Sequence, residues 1–308
     1  MKTILVTGTN GLLGQKLIYR LLEINSFKII AVARGQNRLN VKTGYDYYDI
    51  DITEKEKIFN IIQKTKPNIV INPAAMTNVD ACENDKSTCI KTNIEAVKHL
   101  VEALENTQNE NYKPHFIHFS TDFVFDGSNG PYNEEDIPNP ISFYAESKLK
   151  SEEIVKQSKL KWAIVRTIII YGVTDGNQRS NIVLWVKNSL SNGQRINVIT
   201  DQYRSPTLAE DLANGTIAIA QKGSTGIYHL SGPDTFSIWN LAEQIADFWK
   251  LDKSLMKPVT SNELNQPAKR PPVTGFILDK AKKDLNYCPH TFVDGLKIVD
   301  EQLNQIKK

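Results

Sequence analysis

Tyr144 and Lys148 lie four residues apart in Tyr144-Ala145-Glu146-Ser147-Lys148. On a helix that spacing projects both side chains from one face. An ordinary phenol, with a pKa of about 10, holds its proton too tightly for exchange at neutral pH. A neighbouring ammonium favours the phenolate, so Lys148 is expected to pull Tyr144 down and ready its hydroxyl for general acid–base work. Upstream, Ser120-Thr121-Asp122-Phe123-Val124-Phe125 closes an apolar run, placing the Thr121 hydroxyl where it could hold a carbonyl oxygen. A Tyr-x-x-x-Lys spacing recurs by chance, and as an exposed helix-face pair it would mean little. Its position relative to a third motif gives it weight.

That motif is Gly8-Thr9-Asn10-Gly11-Leu12-Leu13-Gly14, between a short apolar run and a helical pattern. Small residues let the backbone turn tightly and approach a pyrophosphate, whose charge is attracted to free N–H groups at the following helix N-terminus. A glycine pattern alone is weak, but here a strand precedes it and a helix follows. The second strand ends in Ala31-Val32-Ala33-Arg34, with Arg38 close behind and no carboxylate. An acidic residue there suits the ribose hydroxyls of NAD, a guanidinium the 2′-phosphate of NADP. NADPH is the expected cofactor, with NADH left open; the alternative for Arg34 is a solvated surface cation.

The positioning elements follow from periodicity. Strands are expected at residues 3–6, 28–33, 46–49, 68–72, 115–119 and 162–166, alternating with helices at 12–22, from Thr53 to before Pro67, 87–105 and 144–157. Thr53 with Glu56 reads as a capping box. This rhythm predicts an α/β fold, a doubly wound parallel sheet of Rossmann type. Beyond Tyr171 the pattern loosens: turns at 175–177 and 192–193, a helix at 182–190, a loop opened by Ser205-Pro206, a return strand at 226–230, and helices at 238–249, 279–285 and 293–306. Residues 266–272 are proline-rich and read as a stiff connection. Residues 1–171 are therefore expected to form the dinucleotide-binding domain, with return segments near 195–232. Residues 172–308 are expected to be mostly a smaller, discontinuous C-terminal substrate-binding lobe.

Glycine turn, strand-end hydroxyl and Tyr-x-x-x-Lys stand in the order of the extended short-chain dehydrogenases/reductases, which the chain resembles. More narrowly, the stretches from Val70 to Asp80, Ser120 to Gly127, Pro138-Asn139-Pro140, Tyr144 to Lys148, Asp201-Gln202, Ser205-Pro206-Thr207 and Arg270-Pro271-Pro272 resemble the dTDP-4-dehydrorhamnose reductases. That likeness implies reduction of the 4-keto group of a dTDP-linked deoxysugar to give dTDP-L-rhamnose. It implies that Tyr144 protonates the keto oxygen as hydride arrives from the nicotinamide, that Thr121 holds and polarises that oxygen, and that Lys148 also binds the ribose hydroxyls. By the same likeness Asp51 and Ile52 contact adenine, Ala74, Ala75 and Thr77 lie along the nicotinamide ribose, and Asn93 supports Lys148 through water. Asp51 could equally begin a turn, the alanines could reflect tight packing, and Asn93 could be a plain helix-face residue.

Three departures bear on the sugar. Phe123 stands where the family usually has tyrosine, Ile168-Ile169-Ile170 where it has Ser-Trp-Val, and Arg204 where a small residue is common. Thr121, Asp122, Phe123, Arg204 and Arg270 are the expected substrate-binding residues. Two other readings stay open. A 4,6-dehydratase would want Thr-Asp-Glu where this chain has Thr121-Asp122-Phe123. A non-enzymatic NADP-binding subunit, similar to the methionine adenosyltransferase regulatory subunit, would share the cofactor site.

Bulk properties narrow the classes further. The 308 residues carry a formal charge of +2, which recruits neither nucleic acid nor an anionic membrane. No apolar run reaches bilayer-spanning length. Cys82, Cys89 and Cys288 cannot all pair and show no metal-ligand spacing, so a reducing, cytoplasmic setting is expected. His115, His118 and His229 read as packed or surface residues, and no metal is expected. The expected partner is a nucleotide sugar, and such enzymes often form homodimers.

Overall fold

Ile4 and Val6 bury one face of the first strand and Leu5 the other, and the same alternation recurs along the sheet. A sheet apolar on both faces must be covered on both. The computed structural model describes residues 1–176 and 181–306; Asn177, the last residue of one expected turn, lies outside them. Its strands are β1 (Lys2–Val6), β2 (Phe27–Ala33), β3 (Asp46–Asp49), β4 (Ile69–Asn72), β5 (His115–Thr121), β6 (Lys161–Thr167), β7 (Ile170–Tyr171), β8 (Ile196–Ile199), β9 (Tyr203–Arg204), β10 (Thr207–Leu208), β11 (Gly226–His229), β12 (Phe236–Ser237), β13 (Met256–Val259) and β14 (Val273–Thr274). Its helices are α1 (Leu12–Ile24), α2 (Lys55–Thr65), α3 (Val79–Asn84), α4 (Lys86–Ile90), α5 (Ala96–Thr107), α6 (Phe143–Gln157), α7 (Ile182–Ser191), α8 (Ala209–Lys222), α9 (Ile238–Phe248), α10 (Asp279–Leu285) and α11 (Phe292–Ile306). No helix among the described residues is long and apolar enough to cross a membrane.

Seven strands form the main sheet in the order β11-β6-β5-β4-β1-β2-β3, every neighbouring pair parallel. This is the doubly wound, Rossmann-type α/β fold. The order reverses between β1 and β4, and at such a switch point the crevice outside the strand ends binds ligands. Leu17 and Leu21 of α1 and Leu212 and Ile217 of α8 cover one face, with α10 beside them. Ile58 and Ile62 of α2, Leu100 and Leu104 of α5 and Val155 of α6 cover the other. A third core, around Val183, Val198, Leu241, Ile245 and Leu296, joins α7, β8, α9 and α11. β8 pairs with β13 in a small sheet of its own, while β11 returns to the main sheet beside β6.

Several local expectations are corrected. α2 begins at Lys55 without a side-chain cap, because Asp51 Oδ1 takes both the backbone N–H of Thr53 (3.0 Å) and its hydroxyl (2.9 Å). The helix expected at 87–105 is broken into α4, a π-turn over Lys91–Glu95, and α5. The loop expected after Ser205-Pro206 is brief and gives way to β10 and the fourteen-residue α8.

Candidate active site

The glycine turn sits at the carboxyl end of β1. Gly8 adopts left-handed backbone (φ 60°), and a Cβ there would lie 3.0 Å from Ala74 Cα. A Cβ on Gly14 would fall 2.3 Å from the Gly8 carbonyl oxygen, so the turn closes only with glycine at that position. α1 starts from Gly11 with no side-chain cap, which leaves its first N–H groups to an outside acceptor. The buried Thr9 Oγ1 also has no hydrogen-bond partner within the protein. These are donors of the kind a dinucleotide pyrophosphate takes, and the residues present fit it. Leu13 packs into the core, and Leu12 lies against Gly172. Asn10 donates to the carbonyls of Arg34 (3.1 Å) and Gln36 (2.9 Å) and accepts from the Arg38 N–H (2.9 Å), bracing the loop after β2.

That loop exposes Arg34 and Arg38 together. Arg34 Nη1 lies 3.4 Å from Asp51 Oδ2 but its side chain is 80% exposed, so most of its donors remain free for a phosphate. Burial pushes the Asp51 carboxyl up, yet its Thr53 hydrogen bonds and Arg34 hold it below the usual range. The Ile52 side chain is buried in the core, leaving its backbone for any ligand contact. Ala74 and Ala75 are half-buried and Thr77 is exposed in the segment leaving β4.

On the neighbouring α6, Ser142 caps the helix by accepting from the Ala145 N–H at 3.4 Å. Tyr144, Lys148 and Glu152 then repeat every four residues down one buried face. Thr121 is one of the groups acting on the Tyr144 phenol. Thr121 Oγ1 donates to Asp122 Oδ1 at 3.0 Å and accepts from the Phe123 N–H at 3.2 Å. Its proton is therefore committed to Asp122. Burial raises the Tyr144 phenol above its ordinary value, with the Thr121 hydrogen bond opposing and the Asp122 charge adding to the rise. The lowering expected from Lys148 is not seen: burial is the largest influence, and the phenol sits above its ordinary value. Lys148 is itself pulled down to about 8, chiefly by burial, against the opposing charge of Glu152. Its Nζ lies 3.4 Å from His118 Nε2. Burial likewise pushes Glu152 up, but bonds from Arg166 Nε (2.9 Å) and Nη2 (2.8 Å) carry it down to about 2.

Asn93 is buried in the π-turn. Its Oδ1 accepts from the Met76 N–H (2.8 Å), and its Nδ2 donates to the Met76 carbonyl and to Ser147 Oγ (3.0 Å each). It grips the residue before Lys148 and the strand end after β4, in a helix irregularity of the kind that collects at functional sites.

The two arginines expected at the substrate are turned to other work. Arg204 is 1% exposed; it donates to the carbonyls of Tyr203 (2.7 Å), Pro272 (3.2 Å) and Pro271 (2.6 Å), and its Nε lies 3.8 Å from Asp122 Oδ2. The cause is the buried Asp122 carboxylate, which needs a counter-charge and also accepts from Thr274. Burial still leaves Asp122 above the usual carboxylate range. The Phe123 ring lies under that guanidinium, 5.3 Å from centroid, and edge-on to Tyr144. Arg270 binds Asp80 Oδ2 at 2.7 Å and the Ala268 carbonyl at 3.0 Å, fixing the proline-rich segment to α3. Ile169 holds left-handed backbone (φ 26°), a strained choice for a β-branched residue. Sequence reasoning read His118 only as a packed or surface histidine, which its burial bears out, and assigned no site role to Glu152, Arg166 or Thr274. The spacing from Lys148 to Glu152 and a polar residue inside the apolar run of β5 were the available signals.

A parallel sheet in this order, a glycine turn at its switch point and a buried Thr121–Tyr144 contact with Lys148 one turn along define a Rossmann-type NAD(P)H-dependent oxidoreductase. Residues 1–304 match the family described as RmlD substrate binding domain, and the chain belongs to that family. A dTDP-4-dehydrorhamnose reductase of Aggregatibacter actinomycetemcomitans is 31% identical, covering 96% of this chain and 98% of that protein. The methionine adenosyltransferase 2 subunit beta of Bos taurus is 28% identical over 85% of this chain and 76% of its own length. The crystal structure of a Bacillus anthracis dTDP-4-dehydrorhamnose reductase in complex with NADP superposes with a TM-score of 0.83 at 26% identity, covering 98% of this chain and all of that one (100%).

Proposed function

We propose that this protein uses NADPH to reduce the 4-keto group of a nucleotide-linked deoxysugar, dTDP-4-dehydrorhamnose giving dTDP-L-rhamnose. The observation that carries this reading is the buried face of α6 that sets Tyr144 and Lys148 one turn apart, with Thr121 ending β5 of the same parallel sheet whose switch point holds the glycine turn. Gly8 to Gly14, with Thr9 and Asn10, hold the pyrophosphate; Arg34 takes the 2′-phosphate; Asp51 and the Ile52 backbone border adenine; Ala74, Ala75 and Thr77 border the ribose with Lys148. Bound NADPH supplies the hydride. Tyr144 donates its one proton to the substrate oxygen, Thr121 stands by the phenol, and Asp122 fixes Thr121. A phenol held above its usual pKa stays protonated at neutral pH, as a proton donor must. The segments from residue 172 onward form the substrate side, with Arg204 and Arg270 shaping it from behind. The free Cys82, Cys89 and Cys288 fit a cytoplasmic setting.

The test mixes protein, NADPH and a panel of dTDP-4-keto sugars and follows loss of nicotinamide absorbance. Tyr144→Phe is expected to lower kcat by roughly 10²–10⁴-fold with NADPH affinity unchanged. A second reading has the adenosyltransferase subunit behind it: a cofactor-binding partner of an enzyme. NADPH binding with no turnover on any keto sugar, and co-purification with a methionine adenosyltransferase, would favour it.

A further inference from the structure

Beneath Lys148 runs a chain of buried hydrogen bonds that the proposed chemistry does not use. It starts at a backbone donor: the Ala74 N–H points to Thr7 Oγ1 at 3.4 Å. Thr7 donates to Asn72 Oδ1 at 2.6 Å, and Asn72 Nδ2 meets His118 Nδ1 at 3.2 Å. On the far side of the ring, His118 Nε2 lies 2.9 Å from Ser151 Oγ, whose own proton goes to the Lys148 carbonyl at 2.7 Å. Thr7, Asn72, His118 and Ser151 are each at most 1% exposed, so no solvent completes the chain.

The direction of the chain is set at its two ends, because a backbone N–H can only donate and a carbonyl can only accept. With each hydroxyl donating once, Asn72 must present its amide N–H to Nδ1, and the imidazole must carry its proton on Nε2. We propose that this chain fixes His118 as the Nε2–H tautomer and that this N–H, 3.4 Å from Lys148 Nζ, makes His118 the positioning residue that controls the lysine's proton. With the Nε2 proton given to Ser151 Oγ, an ammonium facing Nε2 finds no lone pair there, so the ring offers the charged lysine no hydrogen bond. The tautomer therefore favours the amine and brings Lys148 closer to exchanging a proton with Tyr144 near neutral pH. Other groups act on Lys148 from every side: Glu152 on its own helix and the Cys82 and Cys89 thiols from α3 and α4 favour the ammonium, and burial opposes them. The ring itself stays neutral, since burial first and the Lys148 charge second push its pKa far below the usual histidine value.

The inference rests on Tyr144 and Lys148 being the proton-transfer pair, and its test is chosen to be separable from that reading. Long-range ¹H–¹⁵N spectra of the full-length wild type, with the other four histidines assigned by single substitution, report the His118 tautomer directly. A protonated Nε2 and an unprotonated Nδ1 from pH 6 to 9 are expected; a protonated Nδ1, or a titrating imidazolium, overturns the proposal. In His118→Gln, whose amide oxygen can accept from the ammonium, the Lys148 midpoint in ¹⁵Nζ-lysine NMR is expected to rise by about one pH unit. The pH–kcat profile should move the same way, whereas a merely structural role would lower kcat at all pH values without moving it. An unmoved lysine midpoint in a folded variant also overturns the proposal. Should His118→Gln fail to fold, the wild-type tautomer decides. Should the wild type reduce no keto sugar, the functional reading fails while the two NMR measurements still judge His118.

Discussion

Asp122 is the residue on which the site turns. Its carboxylate takes the Thr121 proton on one side and faces Thr274 and Arg204 on the other, wholly out of water. Removing one member of a buried ion pair leaves the other charge uncompensated. Arg204→Ala is therefore expected to lower the unfolding free energy by about 3–5 kcal/mol in urea titrations. Arg204→Lys should recover only part of that, because a single ammonium cannot reproduce the guanidinium fork that reaches Tyr203, Pro271 and Pro272 at once. An alanine variant as stable as the wild type would mean that the pair contributes nothing. From sequence, Arg204 was legible as a departure from the family but not as an internal counter-charge. Its partner lies 82 positions away (122 to 204), and no local pattern joins them.

At the scale of elements, what could be read was what local periodicity determines. α10 falls at 279–285 as expected, and the six strands of the first half fall where the β-branched and aromatic runs announce them. Helix starts were less legible, because the same Thr-x-x-Glu signal has opposite outcomes at two of its positions. At Thr53 a nearby Asp51 captures the hydroxyl, whereas at Thr260 nothing competes and Glu263 completes the capping box. α8 escaped notice because Leu208 begins it with no side-chain cap at all. The glycine turn is the element most sensitive to a single atom. Gly14→Ala would set a methyl against the Gly8 carbonyl, both backbone-fixed, and is expected to weaken NADPH binding at least about tenfold by fluorescence titration, a loss of about 1.4 kcal/mol. Gly193→Ala meets nothing within 4 Å but strains left-handed backbone (φ 69°) outside the turn, and so serves as the control for backbone strain alone. Equal NADPH affinity in both variants would remove the turn from the cofactor site.

The whole molecule is less divisible than its two-part rhythm implies. α1 is held by the second half: Asp175 exchanges two hydrogen bonds with Gln15 (2.7 and 3.3 Å), and Lys16 pairs with Glu210 of α8 at 2.8 Å. A fragment of residues 1–171 would lose these contacts, bare the apolar face that α8 covers, and leave the β6 edge unpaired. It is expected to aggregate and to show no cooperative thermal transition; a sharp reversible melt would contradict this. The strand order also sets a timetable for synthesis. β6 is complete at Thr167, but its outer neighbour does not begin until Gly226. At ~5–20 residues per second a ribosome would take roughly 3–12 s to bridge that interval. During those seconds the nascent chain carries a finished apolar strand edge with no partner, a window in which cellular holding factors would find it before its own sequence does.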